Sequence, residues 1–340
     1  MRSRGKHKSY LSRRHLLQGG LVGAASLLAM PALAGTKQTV LRFGGPMPLT
    51  TNYGKAMLKF KEEVASRSGG SVEVQVYPSS QLGGLKDMVT AVQLGTQSMV
   101  MATPAWMAGF VRQLDVLSLL YLPASQERLF ASLDGSFGDK LEGYAEAVGL
   151  KIVGWWNSGP RHVIDNVRPI HKPADMAGMK LRSQTSQVWL QCLRALGCNP
   201  VSLDYPEIYL ALQQHTIDGF ENPAPDVVGG KFYEVTKYIS LTSHLFDVFI
   251  VAMNKRQWDG LSSANQKAVA EAMEVATKFQ REAQLVEADE AVKFLRTKVE
   301  VNDISERDRQ LFAEKVRPVY SKFDDTIGKD LIAEAIKEFG

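Results

Sequence analysis

The chain has 340 residues, 45% of them hydrophobic and 22% charged, and a formal net charge of +4. That charge is local: Arg2, Arg4, Lys6, Lys8, Arg13 and Arg14 precede Ala34 with no acidic residue among them, and taking these six from 40 basic residues leaves 34 against 36 acidic ones. A near-neutral body excludes nucleic-acid binding driven by a bulk basic surface, and two cysteines, Cys192 and Cys198, cannot build a disulfide framework.

Residues 1–34 have a basic start, an apolar middle from Leu16 to Leu33 diluted by Gly19, Gly20 and Gly23, and a small-x-small end at Ala32-Leu33-Ala34. This is the pattern of a signal peptide cleaved near Ala34. Ser12-Arg13-Arg14-His15-Leu16-Leu17 matches a twin-arginine export signal, with ordinary secretion as the other route, so a periplasmic mature protein is expected. No later run of roughly 18 apolar residues offers a membrane span. The roughly 300 remaining residues exceed the usual size of one core and predict two lobes.

In chain order, Thr39–Gly44 alternates like a strand, Tyr53–Arg67 carries Ala56, Met57, Phe60 and Val64 on one helical face, and Val72–Val76 reads as the next strand. A helix over Lys86–Leu94 and an apolar strand over Met99–Ala102 continue the alternation, which implies an α/β fold with a mostly parallel sheet and ligands at the carboxyl ends of strands. Thr103, Pro104 and Trp106 occupy such a position. Helices near Gln126–Leu133 and Lys140–Ala147 precede the strand Lys151–Trp156, and the turn formers Asn157-Ser158-Gly159-Pro160 place the crossover into the second lobe there.

The stretch Met176–Pro223 orders the second lobe. Lys180-Leu181-Arg182 is strand-like, a helix follows through Val188, Trp189, Cys192, Ala195 and Leu196 to the stop at Gly197, Asn199–Leu203 reads as a strand, and Pro206 opens a helix that buries Ile208, Tyr209 and Leu212. An arginine at a strand end presents a fixed fork of donors suited to a carboxylate, although many arginines serve only in surface ion pairs. Phe246–Met253 reads as a buried strand returning to the first lobe. From Ser262 to about Thr297 there is no glycine or proline, and an apolar stripe through Ala268, Ala272, Val275, Phe279, Ala283, Val286 and Phe294 predicts one helix about 50 Å long, enough to lie across both lobes. The last forty residues read as amphipathic helix interrupted at Pro318. A Cys192–Cys198 bond would require the chain to fold back at Gly197, and the pairing is left open.

The ordered pieces G-M-K-L-R (178–182), A-L-G-x-N-P (195–200), E-I-Y-x-A-L-Q-Q (207–214) and D-G-x-E-N-P (218–223) resemble the central block of TRAP transporter solute-binding proteins, the extracytoplasmic subunits of tripartite ATP-independent carboxylate importers. The resemblance extends over residues 38–325. It implies the two-lobed periplasmic-binding-protein fold with multiple crossovers and a long spanning helix, a small organic carboxylate as ligand, and membrane-embedded TRAP permease subunits as partners. It also implies that Arg182 holds the ligand carboxylate, that Arg161, in a G-x-R-x-x-x-x-N setting, is a second ligand-contacting arginine, and that Asn222 bonds the ligand. The resemblance further implies that Tyr205 packs on the ligand, with a core aromatic capping the next helix as its other reading, and that Thr103 and Trp106 bear on specificity. His215 departs from the family pattern, standing where a glycine is usual before I-D-G, and Cys192 and Cys198 replace residues that are commonly small or apolar.

The corresponding division is a leader over 1–34, lobe I over 35–157 with about 246–285, and lobe II over 158–245 with the C-terminal part from about 286 to 340. A monomer is expected. No G-x-S-x-G, H-E-x-x-H, P-loop or dinucleotide fingerprint occurs, and His162, His171, His215 and His244 lack metal-ligand spacing, so neither cofactor nor metal is expected. Two alternatives stand beside the binding-protein reading: an exported carboxylate-processing lyase with Arg182 for substrate and His215 as base, or a binding protein of an ATP-driven importer or sensor. Which carboxylate is bound stays open, including a dicarboxylate gripped at both ends by Arg161 and Arg182.

Overall fold

The computed structural model describes residues 38–340; the expected signal peptide, its twin-arginine motif and its cleavage point lie outside them. The chain runs β1 (Thr39–Gly44), α1 (Asn52–Arg67), β2 (Val72–Tyr77), α2 (Leu85–Leu94), β3 (Met99–Ala102), α3 (Pro104–Met107), α4 (Gln126–Leu133), α5 (Ser136–Glu146) and β4 (Leu150–Asp165). It continues through β5 (Leu181–Ser183), α6 (Gln187–Ala195), β6 (Val201–Ser202), α7 (Ile208–Gln213), β7 (Gly219–Pro223), α8 (Ala224–Gly229) and β8 (Tyr238–Asn254). The last elements are α9 (Lys255–Asp259), α10 (Ser263–Leu295), β9 (Glu300–Asp303), α11 (Glu306–Tyr320) and α12 (Lys329–Phe339). Local chemistry sets several boundaries. The Thr51 hydroxyl accepts from the Gly54 amide to start α1, the Ser186 hydroxyl accepts from Trp189 to start α6, and Gly95, at φ 82°, ends α2 in the left-handed region.

The strands form one sheet in the order β2-β1-β3-β8-β4-β7-β5-β6, with β9 added beside β8. The expectation of a mostly parallel sheet is corrected at its centre: β3–β8, β8–β4 and β4–β7 are antiparallel, while the flanking pairs are parallel. The cause is the length of β4 and β8, 16 and 17 residues, which pair from Leu150 with Asn254 to Asp165 with Tyr238 and so belong to both lobes of this two-lobed α/β fold. The strand expected to end at Trp156 continues through its turn formers because they are absorbed as irregularities between Ile152 and Gly154, Asn157 and Gly159, and Arg161 and Val163. Gly159 takes φ 89°, and a Cβ there would lie 2.7 Å from Gln284 Nε2.

Helix α10 is continuous over 33 residues and packs on α1, β4 and α8, as a spanning helix should. Its buried face differs from the expected stripe. Ala268, Ala272, Met273, Ala276, Gln280 and Gln284 are buried, whereas Phe279 and Val286 are 37% and 59% exposed. The two glutamines are inside because they serve backbone groups that the bulged β4 leaves free. Gln280 accepts from Asn157 N and donates to Asn157 O, both at 2.7 Å, and Gln284 donates to Ser158 O at 2.7 Å.

Smaller differences are also local. The strand expected over Asn199–Leu203 is only Val201–Ser202, and the helix expected from Pro206 opens as a 3-10 turn over Tyr205–Glu207 before α7. Pro318 sits inside the last turn of α11 without ending it, and the interruption falls at a π-helical turn over Asp324–Gly328. Among the described residues three apolar clusters hold the fold. One contains Phe43, Phe60, Trp156 and Met273, a second Ile164, Phe220, Phe232 and Leu295, and the largest joins Val100, Trp189, Phe312 and Phe339.

Candidate functional site

Three adjacent strands aim polar side chains at one point. Arg161 follows the bulge at Gly159 in β4 and lies opposite Pro223 of β7; Asn222 is the next residue inward on β7; Arg182 is the middle residue of β5, paired with Phe220 of β7 and Val201 of β6. Facing them, Thr103 leads from β3 into α3, which carries Trp106. All six residues expected at the site, Arg161, Arg182, Asn222, Tyr205, Thr103 and Trp106, line one small cavity, together with Pro46, Met47, Leu85, Gln184, Asp226 and Phe249. The cavity measures about 20 Å³, room for about one water molecule. The Thr103 hydroxyl and the Gln184 side chain are hydrogen-bonded across it, and Thr185 Oγ1 donates to Ala105 O at 3.3 Å. A larger molecule enters only when these walls part.

The two arginines differ in what they have left to give. Arg161 donates from Nε to Glu221 at 2.5 Å, from Nη1 to Asp247 at 2.9 Å, and from Nη2 to Glu221 O at 2.6 Å and to Asn222 Oδ1 at 2.7 Å. Trp189 stacks 4.9 Å from its guanidinium carbon. Burial works against its charge, and the carboxylates of Glu221 and Asp247 outweigh that, holding the guanidinium above its ordinary value. Arg182 is equally buried, 2% exposed, yet among the described residues its side chain makes one hydrogen bond, Nε to Leu203 O at 2.9 Å. Burial without a paired carboxylate pulls it down to about 10, with Arg161 adding to the fall and Glu221 opposing it. It is therefore still a cation at neutral pH, with both Nη groups uncommitted.

The bond from Arg161 fixes the Asn222 amide with its oxygen inward, which leaves Nδ2 buried and without a partner. Asp226, which sequence reasoning missed, also lines the cavity; burial raises its carboxyl to about 7, Arg161 pulls it back and Asp247 pushes it further up. Its Oδ1 is buried and unpartnered. Gln184 was missed as well. Asp226 follows E-N-P by three residues and Gln184 follows Arg182 by two, so proximity to the motif was the available signal. Tyr205 is half-buried and donates from its hydroxyl to Asp226 O at 3.3 Å.

Other expected features lie elsewhere. His215 is exposed at the end of α7 and outside the cavity lining, so the geometry offers it no role as a base beside Arg182. Cys192 and Cys198 are both free and buried, and burial pushes each thiol up to about 12. Among the described residues no cluster of histidine, cysteine and acidic side chains suits a metal ion, and no helix is long and apolar enough to cross a membrane. A wider depression of about 840 Å³ has Trp106 in its wall with Lys86, Arg112 and Lys322, but neither cleft arginine reaches it.

A cleft walled by buried arginine and asparagine is the arrangement of a solute-binding protein. The chain belongs to the bacterial extracellular solute-binding protein family 7, the DctP family, whose model matches residues 43–326; this is a family of binding proteins and not of enzymes. It is 31% identical to the 2,3-diketo-L-gulonate-binding periplasmic protein YiaO of Escherichia coli, over 86% of this chain and 90% of that one. It is also 31% identical to the C4-dicarboxylate-binding periplasmic protein DctP of Rhodobacter capsulatus, over 95% and 97%. A TRAP periplasmic solute-binding protein from Polaromonas sp JS666, solved with D-erythronate, superposes with a TM-score of 0.85 at 30% identity, covering 89% of this chain and all of that one.

Proposed function

We propose that the chain is the extracytoplasmic solute-binding subunit of a TRAP transporter, which captures a small organic carboxylate through Arg182 and delivers it to membrane-embedded permease subunits. The observation that carries this reading is the buried Arg182 guanidinium, which lines the cavity with both Nη groups uncommitted among the described residues. A desolvated cation without a counter-ion is costly, and a carboxylate that takes two parallel bonds from it removes that cost. The relatives' ligands, a diketo-gulonate, C4-dicarboxylates and erythronate, are all small organic acids.

Capture is a two-state event. We assign residues 35–157 with about 246–285 to lobe I and 158–245 with the C-terminal part to lobe II, so that the chain passes between lobes at Asn157–Gly159, opposite Val248 and Asp247. Contacts from both lobes exist together only when the cleft is shut, so ligand shifts the equilibrium toward closure, and a permease can distinguish loaded from empty protein. Export to the periplasm and a monomeric state complete the reading.

A thermal-shift screen of organic acids on the purified mature protein tests it, because a ligand of the folded state raises the melting temperature by mass action. At least one acid is expected to stabilise the wild type and not Arg182→Ala; stabilisation of both alike contradicts the anchor.

A further inference from the structure

Charge accounting inside the cleft separates the ligand classes that the carboxylate anchor alone leaves open. Arg161 is neutralised by Glu221 and Asp247, so it has no net charge to offer a second ligand carboxylate. Among the described cavity-lining residues this leaves Arg182 as the uncommitted cation and Asp226 as an acid without an ion pair. Asp226 is 3% exposed, and among the described residues its Oδ1 has no hydrogen-bond partner, the neighbouring Tyr53 hydroxyl donating to Ser158 O at 3.3 Å. Asn222 Nδ2 is a second unpartnered buried atom on the same wall.

Resting on the proposed role of Arg182, we propose that Asp226 is a specificity-determining residue that accepts hydrogen bonds from ligand hydroxyl groups, so that the cleft takes polyhydroxy monocarboxylates, sugar acids in the broad sense, in preference to dicarboxylates. A hydroxyl donates to the Asp226 carboxylate and can accept from Asn222 Nδ2, satisfying both buried atoms at once. A second carboxylate donates nothing. Beside Asp226, with Arg161 already paired to Glu221 and Asp247, it meets like charge in a desolvated setting, and a buried unmatched charge rejects the wrong ligand more strongly than a missing methyl group does.

The test is calorimetric titration at about pH 8.5, where the Asp226 carboxyl, raised by burial to about 7, is ionised, of wild type, Asp226→Asn and Arg182→Ala with size-matched four-carbon acids, D-erythronate and succinate, and with D-gluconate and D-glucuronate as longer hydroxy acids. In wild type the tightest hydroxy acid is expected to bind at least about tenfold more strongly than succinate, the scale of one hydrogen bond to a charged group. Asp226→Asn keeps the shape and removes the charge, so the preference should shrink at least about fivefold while melting shows a folded protein. Succinate binding as tightly as every hydroxy acid, or a preference unchanged in Asp226→Asn, overturns the assignment. Hydroxy-acid affinity that survives in Arg182→Ala, with the preference still sensitive to Asp226, removes the carboxylate anchor and not the hydroxyl acceptor. Absence of binding to every acid removes both.

Discussion

The Nη2 of Arg161 donates to Oδ1 of Asn222 at 2.7 Å, and this bond turns one arginine of the cleft into a support and leaves the other as the anchor. Arg161 has an acid on two sides and the Asn222 oxygen on a third, whereas Arg182, in a neighbouring part of the same wall, has no partner for either terminal nitrogen among the described residues.

The two arginines should therefore respond oppositely to truncation. Arg161→Ala leaves Glu221 and Asp247 buried without a counter-charge, a loss of roughly 3–5 kcal/mol. Arg182→Ala removes a desolvated cation with no ion-pair partner and should cost less than half as much. Chemical denaturation of both variants without added acid measures the difference, and equal losses would contradict the division of roles.

Asp226 should imprint a pH dependence on stability. Its folded value is raised from an ordinary carboxyl to about 7 by burial, with Arg161 opposing and Asp247, Glu287 and the Tyr53 hydroxyl among the groups facing it. The folded state thus holds a proton that the unfolded chain releases near pH 4, so the carboxyl's contribution is fully present below that pH and is lost as pH rises through about 7. Relative to Asp226→Asn, wild type should lose stability steadily from pH 4 to pH 8. A constant gap between their denaturation midpoints would show an ordinary carboxyl.

Closure should depend on Gly84. A Cβ there would stand 2.3 Å from Asp204 Oδ2, and Asp204 is held in a capping box with Glu207, its amide bonded to Glu207 Oε2 at 2.9 Å. The neighbours Leu85 and Tyr205 both line the cavity, so the contact lies at its rim. Gly84→Ala should weaken acid binding roughly tenfold through the overpacked closed form, and Asp204→Ala in the same chain should recover most of the loss. No recovery would place the effect outside this contact.

His215 stands at φ 55° just past α7, the left-handed position that favours glycine. His215→Gly should raise stability by about 0.5–1 kcal/mol, the relief of strain exceeding the added freedom of the unfolded chain, with ligand affinity unchanged. A lower melting temperature would assign the imidazole a stabilising contact.

Much of this architecture was legible in the residues. The periodicity of α1 and the length of α10 were readable because apolar spacing acts locally, whereas Arg161, Arg182 and Asn222 were picked out by the family resemblance and by nothing in the spacing. The continuity of β4 was hidden, since Asn157-Ser158-Gly159-Pro160 has the composition of a turn and becomes strand only when Gln280 and Gln284, more than 120 residues away, satisfy its backbone. The same long-range pairing placed polar glutamines on the buried face of α10 and left Phe279 and Val286 outside. The unequal state of the two arginines was equally invisible, because it depends on Asp247 arriving from β8.

The central claim is that Arg182 is the carboxylate anchor. Isothermal titration of the mature protein with the acid that most raises its melting temperature, repeated on Arg182→Ala, tests it most directly. Affinity should fall at least about tenfold, as expected for a lost charged bidentate contact, with the folded state intact by melting. Unchanged affinity in a folded Arg182→Ala protein would contradict the account.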